Sequence, residues 1–146
     1  EDLTGMGLAA GGPWPTDYGP ELSRGFRALK VWTQLMEHGA DKLGASIKQN
    51  CELAQYLAEM VKAERQLILC APVSLNIVCF AYDATRVGIN DEIVMELQTR
   101  GIAAPSTTTI KGQTVIRLCI ANHRTTRADI DLTLTEILRI GCELSN

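Results

Sequence analysis

Residues 19–32 read Gly19-Pro20-Glu21-Leu22-Ser23-Arg24-Gly25-Phe26-Arg27-Ala28-Leu29-Lys30-Val31-Trp32, a tight loop that turns into a helix. Upstream, residues 1–19 are rich in glycine and follow neither a helical nor a strand period, so we predict a loop there. Downstream, apolar residues recur at spacings that predict alternating helices and strands. The stretch marks the border between an irregular segment and the regular part of the chain, and we expect the chemistry to lie there.

The composition is that of a globular protein with one core. The chain has 146 residues, of which 46% are hydrophobic and 21% charged, values close to those of ordinary folded domains. A net charge of −3 without a basic cluster argues against nucleic-acid binding. No apolar run approaches the roughly 20 residues of a membrane helix, and no signal peptide is recognisable. We therefore expect a cytoplasmic protein.

Two helices are predicted directly after the border. Pro20 suits a first helical turn and Gly39 suits a helix end, so the first helix covers about residues 20–38. Its apolar residues share one face, which predicts a packed helix; they are Leu22, Phe26, Leu29, Trp32 and Met36. Asp41 can cap a second helix over about 42–64, with an apolar stripe of Leu43, Ile47, Cys51, Ala54, Leu57 and Val61.

Four segments have the composition of strands. Residues 74–82 are rich in β-branched and apolar side chains and predict a central strand. Residues 66–71 precede Pro72 and predict an edge strand. Residues 103–110 and 114–121 flank a short loop, Lys111-Gly112-Gln113, that is typical of a β-hairpin.

Two further helices complete the pattern. Asn90 can cap a helix over about 91–100, and Thr126 with Asp129 forms a capping-box-like start to a last helix that ends near Glu143. The order of elements predicts an α+β fold, in which helices pack on one face of a three- or four-stranded, mainly antiparallel sheet.

The helix start at residues 20–27 could bind an anion. Helix N-termini carry unpaired N–H groups and a favourable dipole, and a phosphate or carboxylate there could contact Ser23, with Arg24 or Arg27 as its charge partner. The residues alone permit an equally simple interpretation, in which Ser23 is an ordinary first-turn residue and the arginines are solvated.

Other chemically active side chains give weaker indications. His38 suits a structural position at a helix end, His123 lies on a loop where a functional contact is conceivable, and Lys30 and Lys111 are expected to be solvated. Five cysteines without metal spacing are expected to be reduced and to pack as small core residues. We predict no metal site and no catalytic residue within this chain.

The segment Leu22-Ser23-Arg24-Gly25-Phe26-Arg27-Ala28-Leu29-Lys30-Val31-Trp32 resembles a stretch of the group II pyridoxal-phosphate-dependent amino-acid decarboxylases, which include the aromatic-L-amino-acid, tyrosine, histidine and glutamate decarboxylases. Gly25 departs from it, because the family has a second arginine there. Asn76-Ile77-Val78-Cys79-Phe80 and Ile116-Arg117-Leu118 are also similar to family segments.

The resemblance implies the C-terminal portion of a fold-type I enzyme. Residues 1–19 would be a loop from the end of the large catalytic domain, residues 20–40 a linking helix, and residues 41–146 the C-terminal small domain. By the same resemblance, Ser23 would lie near the phosphate of the pyridoxal 5'-phosphate cofactor and near the substrate side chain, and its serine resembles that of histidine decarboxylases rather than the glycine of the aromatic enzymes. The partners implied are an amino-acid substrate, the remainder of the catalytic subunit and a second subunit of a homodimer.

One expected feature of the family is missing from the sequence. Family members form an imine between the cofactor and a lysine that follows a histidine, and this chain has no His-Lys pair. We therefore expect the full enzyme to release carbon dioxide from an amino acid and this chain alone to be inactive. Two alternatives remain open, a freestanding α+β ligand-binding or interaction module and an inactive paralogue.

Overall fold

The computed structural model has seven regular elements and describes residues 25–83 and 86–145. In chain order these elements are α1 (Arg27–Ala63), β1 (Leu67–Leu69), β2 (Ile77–Tyr82), α2 (Ile89–Thr99), β3 (Ser106–Ile110), β4 (Gln113–Cys119) and α3 (Arg127–Ser145). The chain divides into two compact units between Ala40 and Asp41.

The described part of the first unit is a single helical segment that ends at a glycine. Gly39 has φ 74° and ψ 158°, which is not helical, so the range labelled α1 contains two helices that meet at Gly39, as predicted. Within the described residues, the apolar face predicted to pack is exposed. Its described apolar side chains are 47–73% exposed, namely Phe26, Leu29, Trp32 and Met36. Leu22 lies outside the described residues.

The second unit is built on a four-stranded antiparallel sheet in the order β1-β2-β4-β3. The predicted central strand is β2, and the predicted edge strand is β1, although it is only three residues long. The predicted hairpin is formed by β3 and β4. The α+β class with a mainly antiparallel sheet is therefore confirmed.

The core lies between one face of the sheet and the three helices of this unit. Val78 and Phe80 of β2 and Ile116 of β4 point into it and are fully buried. Each such side chain stabilises the fold by roughly 1.5–3 kcal/mol. The helices contribute side chains at helical spacing, including Leu57 and Val61 of α1, Ile93 and Leu97 of α2, and Ile137 and Ile140 of α3. Ile47, predicted to belong to the α1 stripe, is instead 63% exposed.

Asn90 does not cap α2, contrary to the sequence-based prediction. The helix begins at Ile89, two residues earlier than predicted, after Gly88 in the left-handed conformation. Asn90 is buried, its Oδ1 accepts the backbone N–H of Tyr82 at 2.9 Å, and its Nδ2 donates to the carbonyl of Thr114 at 3.0 Å. The register places Tyr82 opposite Thr114, so the Asn90 amide takes the place of a rung between β2 and β4. The groups that Asn90 bonds lie 8 and 24 residues away in the sequence, so the local sequence pattern at Asn90 indicated a helix cap instead.

Two local predictions are confirmed in detail. Lys111 and Gly112 both have positive φ, 51° and 79°, as a two-residue type I′ hairpin turn requires. At the start of α3 the Thr126 N–H donates to Asp129 Oδ2 at 2.8 Å, and the Asp129 N–H donates to Thr126 Oγ1 at 3.3 Å. This reciprocal pair is a capping box.

The cysteines do not pack as core residues, so that prediction is wrong. All five are free thiols; Cys119 and Cys142 are exposed, and Cys51, Cys70 and Cys79 are half-buried. They lie at the margins of the helices and on the sheet face that the helices leave open. Among the described residues, no helix is long and apolar enough to cross a bilayer.

Candidate functional site

The predicted anion site falls mostly beyond the described part of the chain. Ser23 and Arg24 lie outside the described residues, so the structure places neither. Arg27 is the first residue of α1 and is exposed, and its backbone N–H donates to the carbonyl of Gly25 at 2.8 Å. Lys30 is also exposed on this helix. The anion site at Ser23 therefore stays a prediction.

The other candidate side chains lie on separate surface positions. His38 is half-buried directly before the interruption at Gly39. His123 is exposed in the turn between β4 and α3, and Lys111 is exposed in the hairpin turn. These positions bring no two of the candidates into a shared described cavity.

A cavity that sequence reasoning did not predict opens beside the ends of β3 and β4 and the start of α3. It has a volume of about 640 Å³, and its lining includes the guanidinium-bearing Arg117 and Arg124. Arg117 Nη1 donates a long hydrogen bond of 3.4 Å to Ser106 Oγ. The Arg124 backbone N–H donates to Asn122 Oδ1 at 3.0 Å, which fixes the turn that carries this arginine.

The carboxylate in this cavity is already engaged by the helix cap. Two hydrogen bonds from Thr126, first from its backbone N–H and then from its hydroxyl, hold the pKa of Asp129 below its ordinary value. The cavity therefore combines two guanidinium groups with one satisfied carboxylate, an arrangement that favours an anion. The sequence signal for it is Arg117, a charged residue in the otherwise apolar run from Val115 to Leu118.

A second cavity, of about 420 Å³, lies between the β2 end, the α2 start and the hairpin turn. Its arginine is already paired, because Arg86 Nη2 contacts both carboxylate oxygens of Glu92 at 2.8 Å and Nη1 donates to the carbonyl of Leu144 at 2.6 Å. The amide of Asn90 is satisfied by the two strands. The polar side chains of Arg86 and Asn90 at this cavity are therefore engaged in contacts within the fold.

Comparison with known proteins gives one consistent result. The sequence model of the pyridoxal-dependent decarboxylase conserved domain matches residues 16–83. An aromatic-L-amino-acid decarboxylase of Bacillus atrophaeus is 34% identical over an alignment of 134 positions that covers 87% of this chain. The chain belongs to the pyridoxal-dependent decarboxylase family. A histidine decarboxylase of Drosophila melanogaster, another relative, is 34% identical over 82% of the chain.

Solved structures agree with membership of the pyridoxal-dependent decarboxylases. The glutamate decarboxylase domain of a Vibrio parahaemolyticus L-2,4-diaminobutyrate decarboxylase matches 85% of the chain with a TM-score of 0.74 and 28% identity, and the match covers 27% of that structure. An Oryza sativa TDC structure with PLP and tryptamine, at 21% identity, shares the fold with a TM-score of 0.77. The chain spans 28% of the length of the Bacillus relative.

Pyridoxal phosphate is the cofactor of this decarboxylase family, and no lysine among the described residues lies in an enclosed setting. An imine-forming lysine needs an enclosed setting that depresses its pKa. All five lysines of the sequence lie within the described ranges and all are exposed. Neither cavity is lined by a lysine. Among residues 25–83 and 86–145, no cluster of side chains could hold a metal ion either.

Proposed function

We propose that this chain is the C-terminal part of a pyridoxal-phosphate-dependent amino-acid decarboxylase, a carboxy-lyase that converts an amino acid into an amine and carbon dioxide. The observation that carries the proposal is the continuous similarity to decarboxylases over most of the chain, combined with its short span of about a quarter of their length. The α+β fold shared with decarboxylase structures supports it.

The gene provides the direct test of this proposal. We expect the reading frame to continue upstream of Glu1 and to encode a His-Lys pair within an otherwise decarboxylase-like sequence. A start codon directly before Glu1 would contradict the proposal and favour a freestanding module.

We also propose that the chain alone is not competent for decarboxylation, because it lacks the lysine that binds the cofactor. The exposure of all five lysines supports this proposal. Incubation with pyridoxal phosphate, reduction with borohydride and peptide mass spectrometry should give weak labelling spread over several lysines.

Single Lys→Arg variants at Lys30, Lys42, Lys48, Lys62 and Lys111 serve as controls for the labelling experiment. Each variant should lose only the weak labelling of the substituted lysine and keep the labelling of the other four. Stoichiometric labelling that one of these variants abolishes would instead identify an imine-forming lysine and refute the proposed incompetence.

We propose that Ser23 contacts the cofactor phosphate and the substrate side chain in the full-length subunit. The similarity of its segment to the family, with serine in the histidine-decarboxylase manner, supports this role. In the full-length enzyme, Ser23→Gly should change the ratio of kcat/KM for histidine to kcat/KM for an aromatic amino acid. Ser46→Gly is the control, since Ser46 lies on α1 in the second unit. An unchanged ratio would show that Ser23 does not contact the substrate side chain.

The proposed partners are the rest of the catalytic subunit and a second copy of that subunit. The exposed apolar face of the first helical segment supports an interface with these partners. Phe26 is 73% and Met36 68% exposed, and contiguous exposed apolar faces usually mark interfaces. Co-purification with the upstream polypeptide should weaken in Trp32→Glu. Gln34→Glu, an equally small charge change at an exposed polar position, should not weaken it. If both variants co-purify equally well with the upstream polypeptide, this face is not the interface.

The cytoplasm is the proposed location. Five free thiols support it, because secreted proteins usually pair their cysteines into disulfides. Fractionation of the native host is the corresponding measurement, and recovery of the protein outside the cytoplasmic fraction would contradict it.

A further inference from the structure

Two half-buried thiols lie opposite each other on neighbouring strands of the sheet. The register pairs Leu69 of β1 with Phe80 of β2, so the next residues along the two chains, Cys70 and Cys79, are direct cross-strand neighbours. The Cys70 N–H donates to the Cys79 carbonyl at 2.9 Å, which confirms that the antiparallel alignment extends to this pair. Both residues therefore share the sheet face opposite the core, where Ile68 and Ile77 also lie.

The Cα separation at this pair falls within the range of disulfides. The hydrogen bond from Cys70 to Cys79 makes them a hydrogen-bonded pair, whose Cα atoms are about 5.5 Å apart, and disulfides join Cα atoms about 4.4–6.8 Å apart. The Cβ atoms of such a pair are about 5.5 Å apart and a disulfide needs about 3.5–4.5 Å, so the bond requires side-chain rotation together with a small closing movement of the edge strand β1.

The electrostatic environment also indicates that the two thiols are close. Burial is the main cause that raises the pKa of Cys70, and the neighbouring Cys79 raises it further. The Cys70 thiol donates to the carbonyl of Ile68 at 3.2 Å, which holds it along the sheet. The raised pKa lowers the thiolate fraction of Cys70, and the thiolate is the reactive form, so its reaction with an oxidant should accelerate as the pH rises.

The remaining cysteines are less well placed to form a bond with either thiol. Cys119 of β4 lies opposite Ile77, so it is only a diagonal neighbour of Cys79, and diagonal pairs are about 7–8 Å apart, beyond the usual disulfide range. Cys51 lies on α1 and Cys142 on α3, away from this sheet position. The pairing is therefore selective by geometry.

We propose that Cys70 and Cys79 form an oxidative modification site, at which a hydroperoxide converts the two thiols into one intrachain disulfide. One sulfur attacks the O–O bond, which releases an alcohol or water and leaves a sulfenic acid; the second thiol then displaces water and forms the S–S bond. The two thiols lose two electrons and two protons in total, and the peroxide is reduced by the same two electrons. The reaction is independent of decarboxylation.

The consequence of this disulfide is a stronger attachment of β1 to the sheet. β1 is a three-residue edge strand, joined to the sheet on one side only. The cross-link closes the segment from Cys70 to Cys79, and loop-closure entropy for a segment of this length lowers the unfolding equilibrium constant by roughly a hundredfold.

The test uses the 146-residue chain with hydrogen peroxide, followed by iodoacetamide and trypsin. Both thiols lie in the tryptic peptide from Gln66 to Arg86. We expect this peptide to become two hydrogens lighter and resistant to alkylation, and dithiothreitol to reverse both changes. The oxidised chain should also unfold at a higher temperature than the reduced chain.

Single serine variants separate this pair from general thiol oxidation. Cys70→Ser and Cys79→Ser should each abolish the mass change and the gain in unfolding temperature, whereas Cys119→Ser and Cys142→Ser should retain both. The proposal is overturned if the peptide stays fully alkylated while the exposed cysteines are oxidised, or if Cys79 is recovered linked to Cys119. A disulfide that forms without raising the unfolding temperature would refute the stabilising consequence.

Discussion

At the scale of single residues, Asn90 shows how one side chain can connect three elements. Its amide joins the N–H of Tyr82 on β2 to the carbonyl of Thr114 on β4, while its backbone belongs to α2. Both strand groups would otherwise be left without a partner at the end of the ladder. Buried backbone groups without a partner are costly, so the amide is required where it lies.

Replacing Asn90 with alanine should therefore destabilise the second unit by about 1–3 kcal/mol, the usual cost of leaving buried polar groups unpaired. Urea unfolding at equilibrium measures this change. Gln98→Ala is the matched control, since Gln98 is exposed and its amide donates only to the Pro105 carbonyl. A loss in Asn90→Ala no larger than in the control would show that the strand groups find other partners.

Gly141 is the second residue with a specific structural requirement. It lies in α3, and a Cβ atom added there would come within 2.2 Å of the buried Tyr82 ring. Helix propensity favours alanine over glycine by up to about 1 kcal/mol, but overpacking a core costs about 1–3 kcal/mol. The steric term should therefore dominate.

We predict that Gly141→Ala lowers the thermal unfolding temperature. Gly44→Ala should raise it, because Gly44 is a helical glycine with no atom within 4 Å of an added Cβ. The additional substitution Tyr82→Leu should restore part of the loss in Gly141→Ala. If both glycine variants are stabilised alike, the close approach of α3 to β2 is incorrect.

At the scale of elements, α3 is fixed at its start by two kinds of contact. The capping box of Thr126 and Asp129 satisfies its first N–H groups. One turn later, Asp131 accepts a hydrogen bond from the Tyr56 hydroxyl of α1 at 2.8 Å, and this bond is the main cause that raises the pKa of Tyr56. The guanidinium of Arg127 lies 5.0 Å from the centre of the same ring. These contacts fix where α3 begins.

The capping box should make the stability of α3 depend on pH. The pKa of Asp129 in the folded chain lies below its ordinary value of 3.8, so its contribution is present above that value and is lost as the pH falls through the folded-state pKa. The difference in unfolding temperature between the natural chain and Asp129→Asn should therefore be constant near neutral pH and shrink in acid.

Two Thr126 variants check this interpretation. Thr126→Ser keeps the hydroxyl and should preserve the pH dependence, whereas Thr126→Ala should cost about 1 kcal/mol, as the loss of an N-cap usually does. A difference between the natural chain and Asp129→Asn that persists unchanged at the lowest pH would disprove the role of the carboxylate.

At the scale of the whole molecule, the core belongs to one of the two units. Every residue of the buried cluster lies between Leu53 and Ile140, within the unit that begins at Asp41. The described helix of the first unit contributes no residue to this cluster. We therefore predict that a chain shortened to residues 41–146 still folds cooperatively.

The predicted result for residues 41–146 is a thermal transition and a circular dichroism spectrum typical of a folded α+β protein. A chain ending at Thr126 is the control and should not fold, because it lacks the buried face of α3 that includes Ile130, Leu134 and Ile137. An unfolded 41–146 chain would show that the first forty residues are needed for folding.

Local signals in the sequence were sufficient for most of the secondary structure. Gly39 and Gly112 were predicted at breaks where the backbone indeed has positive φ, which glycine adopts at little cost. The capping box was recognised because its hydrogen bonds join residues only three apart. The alternation of side chains was sufficient to predict a central strand and a hairpin, and so the α+β class.

The sequence by itself thus determined the order of elements, the class of the fold and the family, because these depend on periods, turns and continuous segments. Only the tertiary structure decided that Asn90 bridges two strands, that Arg117 and Arg124 line one cavity and that Cys70 faces Cys79. It also decided that the apolar face of the first helical segment is exposed. The physical reason is that burial and pairing depend on residues distant in the sequence, which local patterns do not specify.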